Sequence, residues 1–129
     1  MNQAAKDFEE ALRVWPGFYG ATFNLGEALA ASGNLAEAAV YYRRALALDS
    51  DSVEARVNLG IALGQQGVLD EAQPVLEEAV RLDPRHPGAR LNLGLVLLRR
   101  GRVAEATSQL LEAVKLDPSK ALLKSFIEL

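Results

Sequence analysis

Residues 19–52 read YGATFNLGEALAASGNLAEAAVYYRRALALDSDS, and this stretch decides the fold because the chain repeats its pattern. Its Asn-Leu-Gly triplet recurs every 34 residues without insertion or deletion, at residues 24–26, 58–60 and 92–94. A second glycine series has the same interval and comprises Gly33, Gly67 and Gly101. A fixed period of this length predicts a repeat architecture, in which each unit buries its apolar face against its neighbours.

Each period predicts two α-helices. In the first half, small and apolar residues such as Ala21, Leu25 and Leu29 recur at helical spacing. Gly33 then provides a residue that ends a helix in the left-handed conformation, and residues 35–48 repeat the helical pattern. A glycine inside a helix costs about 1 kcal/mol relative to alanine. We therefore expect the glycines of the triplets to allow the two helices of a pair to approach closely.

The composition excludes several classes of protein. The chain has 129 residues, half of them hydrophobic, with a net charge of −3, no cysteine and one histidine. These values exclude disulfide and thiolate sites and argue against nucleic acid as a partner. We expect no metal, no cofactor and no enzymatic activity. No apolar run has the roughly 18–20 residues of a membrane span, and the polar N-terminus is unlike a secretory leader, which favours a cytoplasmic location.

The repeat unit resembles the tetratricopeptide repeat. The resemblance rests on the 34-residue period, an early leucine-glycine pair, a mid-repeat alanine at Ala38, Ala72 and Ala106, and a late proline at Pro16, Pro84 and Pro118. It implies one all-α domain over residues 1–129, an α-solenoid of antiparallel helix pairs wound as a right-handed superhelix. The expected organisation is a half-repeat at 1–18, full repeats at 19–52, 53–86 and 87–120, and the start of another helix at 121–129.

The resemblance also implies a concave groove lined by the first helix of each pair. The residues at the family's groove positions are Phe23, Asn24, Glu27, Val57, Asn58, Ile61, Gln65, Leu91, Asn92, Leu95 and Arg99. The three asparagines form a ladder, and each amide can both donate to and accept from an extended peptide backbone. Two alternatives remain open: the amides bond to an adjacent helix, and the apolar residues pack between repeats. Arg99 also suits a solvated helix C-terminus.

These features predict a non-catalytic scaffold that binds an extended peptide or a helical segment of a partner protein in its groove. A first alternative is self-assembly, in which unpaired terminal helices dock end to end and give a homo-oligomer. The apolar tail at 121–129 agrees with such docking, with a short amphipathic cap, or with a chain that is a piece of a longer array, which is the interpretation we favour. A second alternative is the substrate-docking arm of a larger enzyme, because a repeat fold does not by itself assign a function.

Overall fold

The computed structural model describes residues 2–120, which form helices throughout. The expected helix at 121–129 lies outside the described residues. The described α-helices are α1 (Gln3–Val14), α2 (Tyr19–Ala31), α3 (Leu35–Leu48), α4 (Val53–Gln66), α5 (Leu69–Leu82), α6 (Pro87–Arg99) and α7 (Val103–Leu116), followed by a short 3₁₀ turn at Pro118–Lys120. The prediction of an all-α solenoid of helix pairs is confirmed. Within residues 2–120, no helix has both the length and the apolar character of a membrane span.

The period of the sequence is repeated in the backbone. Gly33, Gly67 and Gly101 separate the two helices of successive pairs and all have positive φ angles, of 86°, 81° and 78°. That conformation is cheap only for glycine. Between pairs, Asp49 and Asp83 each accept a hydrogen bond from the backbone N–H two residues later, at 3.2 Å in both cases. The same turn chemistry therefore recurs at equivalent points of the lattice.

The triplet glycines are positions of close approach, as predicted. A Cβ atom on Gly60 would lie 2.5 Å from Cδ2 of Leu76, which is fully buried on α5. At Gly94, a Cβ would meet Leu110 Cδ2 at 2.7 Å, and at Gly26 it would meet the Tyr42 ring at 2.7 Å. The second helix of each pair thus presses its largest core side chain into the space that the glycine leaves. The expected small residues are fully buried beside these contacts: Ala38, Ala72 and Ala106.

The inner helices α2, α4 and α6 share one side of the stack. Helix α4 contacts both α2 and α6, in addition to its pairing with α5. Each inner helix therefore borders the next one along the solenoid, and their adjacent surfaces form the concave face.

The first inter-helix connection departs from the others. Trp15 stands at the lattice position of Asp49, and Phe18 stands at the position of Ser52, which caps α4 by accepting from the Ala55 N–H. Phe18 makes no such cap on α2. Both aromatic side chains are exposed, Trp15 at 65% and Phe18 at 54%. Further along the chain, the Tyr19 ring of α2 stacks on Phe23 at 5.9 Å.

Candidate functional site

The concave face contains two neighbouring clefts, each between a pair of inner helices. The first lies between α2 and α4 and has a volume of about 310 Å³. The second lies between α4 and α6 and has a volume of about 300 Å³. Ile61 and Gln65 line both clefts and form the ridge that separates them.

The first cleft has both polar and apolar walls, and its polar groups are few. Glu27 lines it from α2, Asn58 lines it from α4, and Tyr42 of α3 reaches it from behind the inner helices. Burial raises the pKa of the Tyr42 hydroxyl to about 12, and the negative charge of Glu27 adds to that rise. A hydrogen bond with Asn58 partly opposes the shift in the pKa. The hydroxyl is therefore neutral at physiological pH and keeps its proton for donation.

The second cleft combines apolar walls with one cation. Ile61, Leu95, Val96 and Leu98 supply the apolar surface. Arg99 closes the cleft at the end of α6, where its guanidinium donates to the backbone carbonyl of Gly64 across the groove. This contact ties α6 to the C-terminal end of α4, where the helix macrodipole favours a positive charge.

The three asparagines of the predicted ladder are all half-buried, but their hydrogen bonds differ. The Asn92 amide donates to the Gly88 carbonyl of its own helix at 2.8 Å, which leaves its oxygen and its second N–H for other partners. Asn58 bonds with Tyr42. Among residues 2–120, the Asn24 amide makes no hydrogen bond. Asn58 and Asn92 line the first and the second cleft respectively, whereas Asn24 lines neither.

One series of predicted groove residues lies away from the clefts. Val57 is only 4% exposed and packs with Ala79 and Ala89, so the prediction that it offers an exposed apolar anchor is wrong. Phe23, one period earlier, is half-buried against the core, with its ring 5.9 Å from that of Tyr42. Leu91, one period later, is half-buried and lines neither cleft. Val57 thus packs between repeats, which is the alternative that the sequence left open.

The sequence reasoning missed Tyr42 as a cleft residue because the tyrosine belongs to an outer helix. One signal was present in the lattice. The residues equivalent to Tyr42 are Phe8, Leu76 and Leu110, so the hydroxyl is the one polar group at an otherwise apolar position. A buried hydroxyl requires a hydrogen-bond partner, and the Asn58 amide supplies it.

No metal-binding arrangement accompanies the clefts in the part of the chain that the structure describes. Residues 2–120 contain no cluster of three or more metal-ligating side chains. The single histidine, His86, caps α6: its Nδ1 accepts from the Ala89 N–H at 3.0 Å, while Nε2 lies 2.9 Å from Glu54 Oε1. The arrangement of the clefts suits recognition by shape, hydrogen bonds and charge.

A family model described as "Tetratricopeptide repeat" matches residues 2–53 and 57–121. Among curated proteins, none matches the chain. Solved structures do match over most of its length. YrrB, "a TPR protein with an unusual peptide-binding site", superposes with a TM-score of 0.86 at 28% identity, over 97% of this chain and 64% of that chain.

Two further structures have the same architecture. A fragment of MamA from Desulfovibrio magneticus RS-1 has a TM-score of 0.83 at 25% identity, over 88% of this chain and 64% of that one. The TPR domain of OM64 from Arabidopsis has a TM-score of 0.81 at 18% identity, over 85% of this chain and 93% of that domain, and it shows the fold alone. The chain thus spans less than two thirds of the length of YrrB and of the MamA fragment.

Proposed function

The chain belongs to the tetratricopeptide repeat family, and we propose that it is a non-catalytic scaffold that binds an extended peptide segment of a partner protein along its concave face. The segment crosses the two clefts, with its backbone held by the asparagine amides and its side chains in contact with Ile61 and Leu95. The peptide-binding site of the similar YrrB supports a peptide as the ligand.

The observation that carries the proposal is the pair of clefts on adjacent inner helices. Seven of the predicted groove residues line them: Glu27, Asn58, Ile61, Gln65, Asn92, Leu95 and Arg99. Leu95 is 39% exposed although it is large and apolar. An exposed apolar side chain beside amide groups with unused hydrogen-bonding capacity is typical of a protein-interaction surface. A partner removes the apolar side chain from water and supplies hydrogen bonds to the amides.

The proposal is tested with a triple variant, Asn24→Ala, Asn58→Ala and Asn92→Ala. Each lost amide removes up to two backbone contacts, and a hydrogen bond contributes about 0.5–1.5 kcal/mol net. We expect the affinity for a partner captured from the native source to fall by about tenfold or more, measured by calorimetry. Far-ultraviolet circular dichroism should keep its helical signal, because none of the three side chains is fully buried.

A control variant removes exposed amides that line neither cleft, Asn34→Ala with Gln66→Ala. It should bind the captured partner as the wild type does. Equal affinity of the wild type and the groove triple variant would refute the hypothesis that the asparagine amides bind the peptide backbone. Equal losses in the groove and control variants would place the binding surface elsewhere on the chain.

Self-association is a second candidate, and one observation favours it. Val14, Trp15 and Phe18 border an exposed apolar hollow of about 600 Å³ at the end of α1, and a second copy could cover such a surface. The C-terminal half of the end-to-end hypothesis involves residues 121–129, which lie outside the described residues. Light scattering over a concentration series separates the candidates: a strict monomer at high concentration contradicts self-association and leaves groove binding intact.

A further inference from the structure

The two clefts differ in chemistry although the scaffold around them repeats. At one lattice position the inner helices carry Glu27, Ile61 and Leu95, and at another they carry Ala31, Gln65 and Arg99. The negative charge therefore lies in the first cleft and the positive charge in the second. Such an arrangement distinguishes the two ends of a bound segment, because a peptide with the opposite order of charges would place like charges together.

Neither charge is neutralised within the described chain. Five ion pairs occur among residues 2–120, and none of them includes Glu27 or Arg99. The negative charge of Glu27 lies close enough to the Tyr42 hydroxyl to influence its ionisation. The guanidinium of Arg99 donates a hydrogen bond to the backbone carbonyl of Gly64. Arg99 is therefore positioned without a carboxylate partner, and several of its five N–H donors remain for a ligand.

The separation of the clefts limits the conformation of the ligand. Helices in contact have axes about 8–10 Å apart. Each cleft lies between two successive inner helices, so the clefts are separated by about one such spacing. A polyproline II segment rises about 3.1 Å per residue with three residues per turn, so residues three apart are about 9 Å apart on the same face. In a β-strand, residues three apart point to opposite faces. The spacing of the clefts thus favours polyproline II, whose backbone has no internal hydrogen bonds and can bond to the amides.

We propose that the groove selects a polyproline II segment with three features. It carries a lysine or arginine, an apolar residue three positions later, and an acidic residue next to that apolar residue. The basic side chain enters the first cleft beside Glu27, the apolar side chain rests on Ile61 and Leu95, and the acidic side chain meets Arg99. This inference rests on the proposed function and specifies its ligand class. The Tyr42 hydroxyl and Asn58 provide the polar floor under the basic side chain.

The test uses fluorescence anisotropy of short capped peptides on the full chain. The reference peptide carries lysine, then leucine three residues later, then aspartate, in a background of proline, serine and threonine. One comparison peptide exchanges the lysine and the aspartate, and two others change the spacing by one residue in either direction. We expect the reference peptide to bind about five- to tenfold tighter than the charge-exchanged one at low salt, with the ratio falling as salt screens the charges.

Protein variants assign the preference to the two residues. Glu27→Gln should reduce the share of the affinity ratio between the reference and charge-exchanged peptides that depends on the lysine. Arg99→Gln should reduce the share that depends on the aspartate. The control variants Glu37→Gln and Arg102→Gln remove exposed charges that line neither cleft and should leave the ratio unchanged. Circular dichroism confirms that Arg99→Gln remains folded after the loss of its bond to Gly64.

The outcomes separate the two proposals. Peptides that bind with equal affinity in either charge order, or that bind best at a spacing of two or four residues, would overturn this inference and leave groove binding in place. If no peptide binds, and the captured partner has the same affinity for the wild type and the asparagine triple variant, the proposed function itself fails.

Discussion

Replacing Gly60 by alanine tests the packing that gives the solenoid its shape. The added Cβ would lie 2.5 Å from Cδ2 and 3.0 Å from Cδ1 of Leu76. Leu76 is fully buried, so the added methyl group enters a closely packed interior. Inserting a methyl group into a packed core costs about 1–3 kcal/mol, whereas alanine in place of glycine in a helix gains about 1 kcal/mol. We expect Gly60→Ala to lower the free energy of unfolding by up to about 2 kcal/mol.

Gly64, one turn later on the same helix, provides the comparison. Its nearest neighbour to an added Cβ is Val96 Cγ2 at 3.7 Å, an ordinary van der Waals distance. Gly64→Ala should therefore show the helix-propensity gain alone, raising the free energy of unfolding by about 0.5–1 kcal/mol. Since both substitutions share that gain, the difference between the two variants isolates the steric cost of about 1–3 kcal/mol.

Urea denaturation followed by circular dichroism measures both free energies of unfolding. The variants should move in opposite directions. Introducing Gly60→Ala into a Leu76→Ala background removes the steric conflict, so there the same substitution should become neutral or stabilising. Similar stabilisation by Gly60→Ala and Gly64→Ala in the wild-type background would refute the view that Gly60 is required for close helix approach.

Two further predictions concern titration and capping. The pKa of Tyr42 is raised to about 12 in the folded chain, against about 10 when unfolded, so the resulting stability is fully present below pH 10 and is lost between pH 10 and about 12. Tyr42→Phe should reduce this alkaline loss in denaturation series at successive pH values, and an unchanged profile would contradict the shift. His86→Ala should lower the free energy of unfolding by about 1 kcal/mol through the lost cap on α6, whereas His86→Ser should retain most of it; equal urea midpoints for the two variants would argue against the cap.

The fold was predictable because its determinants are local and repeat in register. Gly33, Gly67 and Gly101 ended helices at the expected points, and each has the positive φ that makes glycine the suitable residue. The triplet glycines likewise indicated close approach from their helix-propensity cost alone. The partner atoms were less accessible to sequence reasoning, because the side chain that fills the space belongs to the second helix of the pair, as with Leu76 opposite Gly60.

The candidate site was only partly predictable, because residues on the same side of a helix can differ in whether a neighbouring helix covers them. Val57 and Ile61 are adjacent apolar residues on one side of α4, one turn apart, yet Val57 is buried against Ala79 and Ala89 while Ile61 lines both clefts. Helical periodicity places both on the inner side of the stack. Which of the two is covered depends on how the neighbouring helices pack, since Ala79 belongs to α5 and Ala89 to α6.

Comparing the three repeats separates residues that are needed for packing from residues that give each cleft its own chemistry. Positions with the same residue in all three periods and no exposure, such as Gly26 with its equivalents, are explained by packing. Positions that change from repeat to repeat, such as Glu27 with its equivalents, line the clefts and give each one its own chemistry. The asparagines fit neither class, because they are constant yet half-buried, and their hydrogen bonds differ at each site. Their recurrence at a constant pitch is what the proposed contact with a peptide backbone requires, and the asparagine triple variant tests whether a ligand uses it.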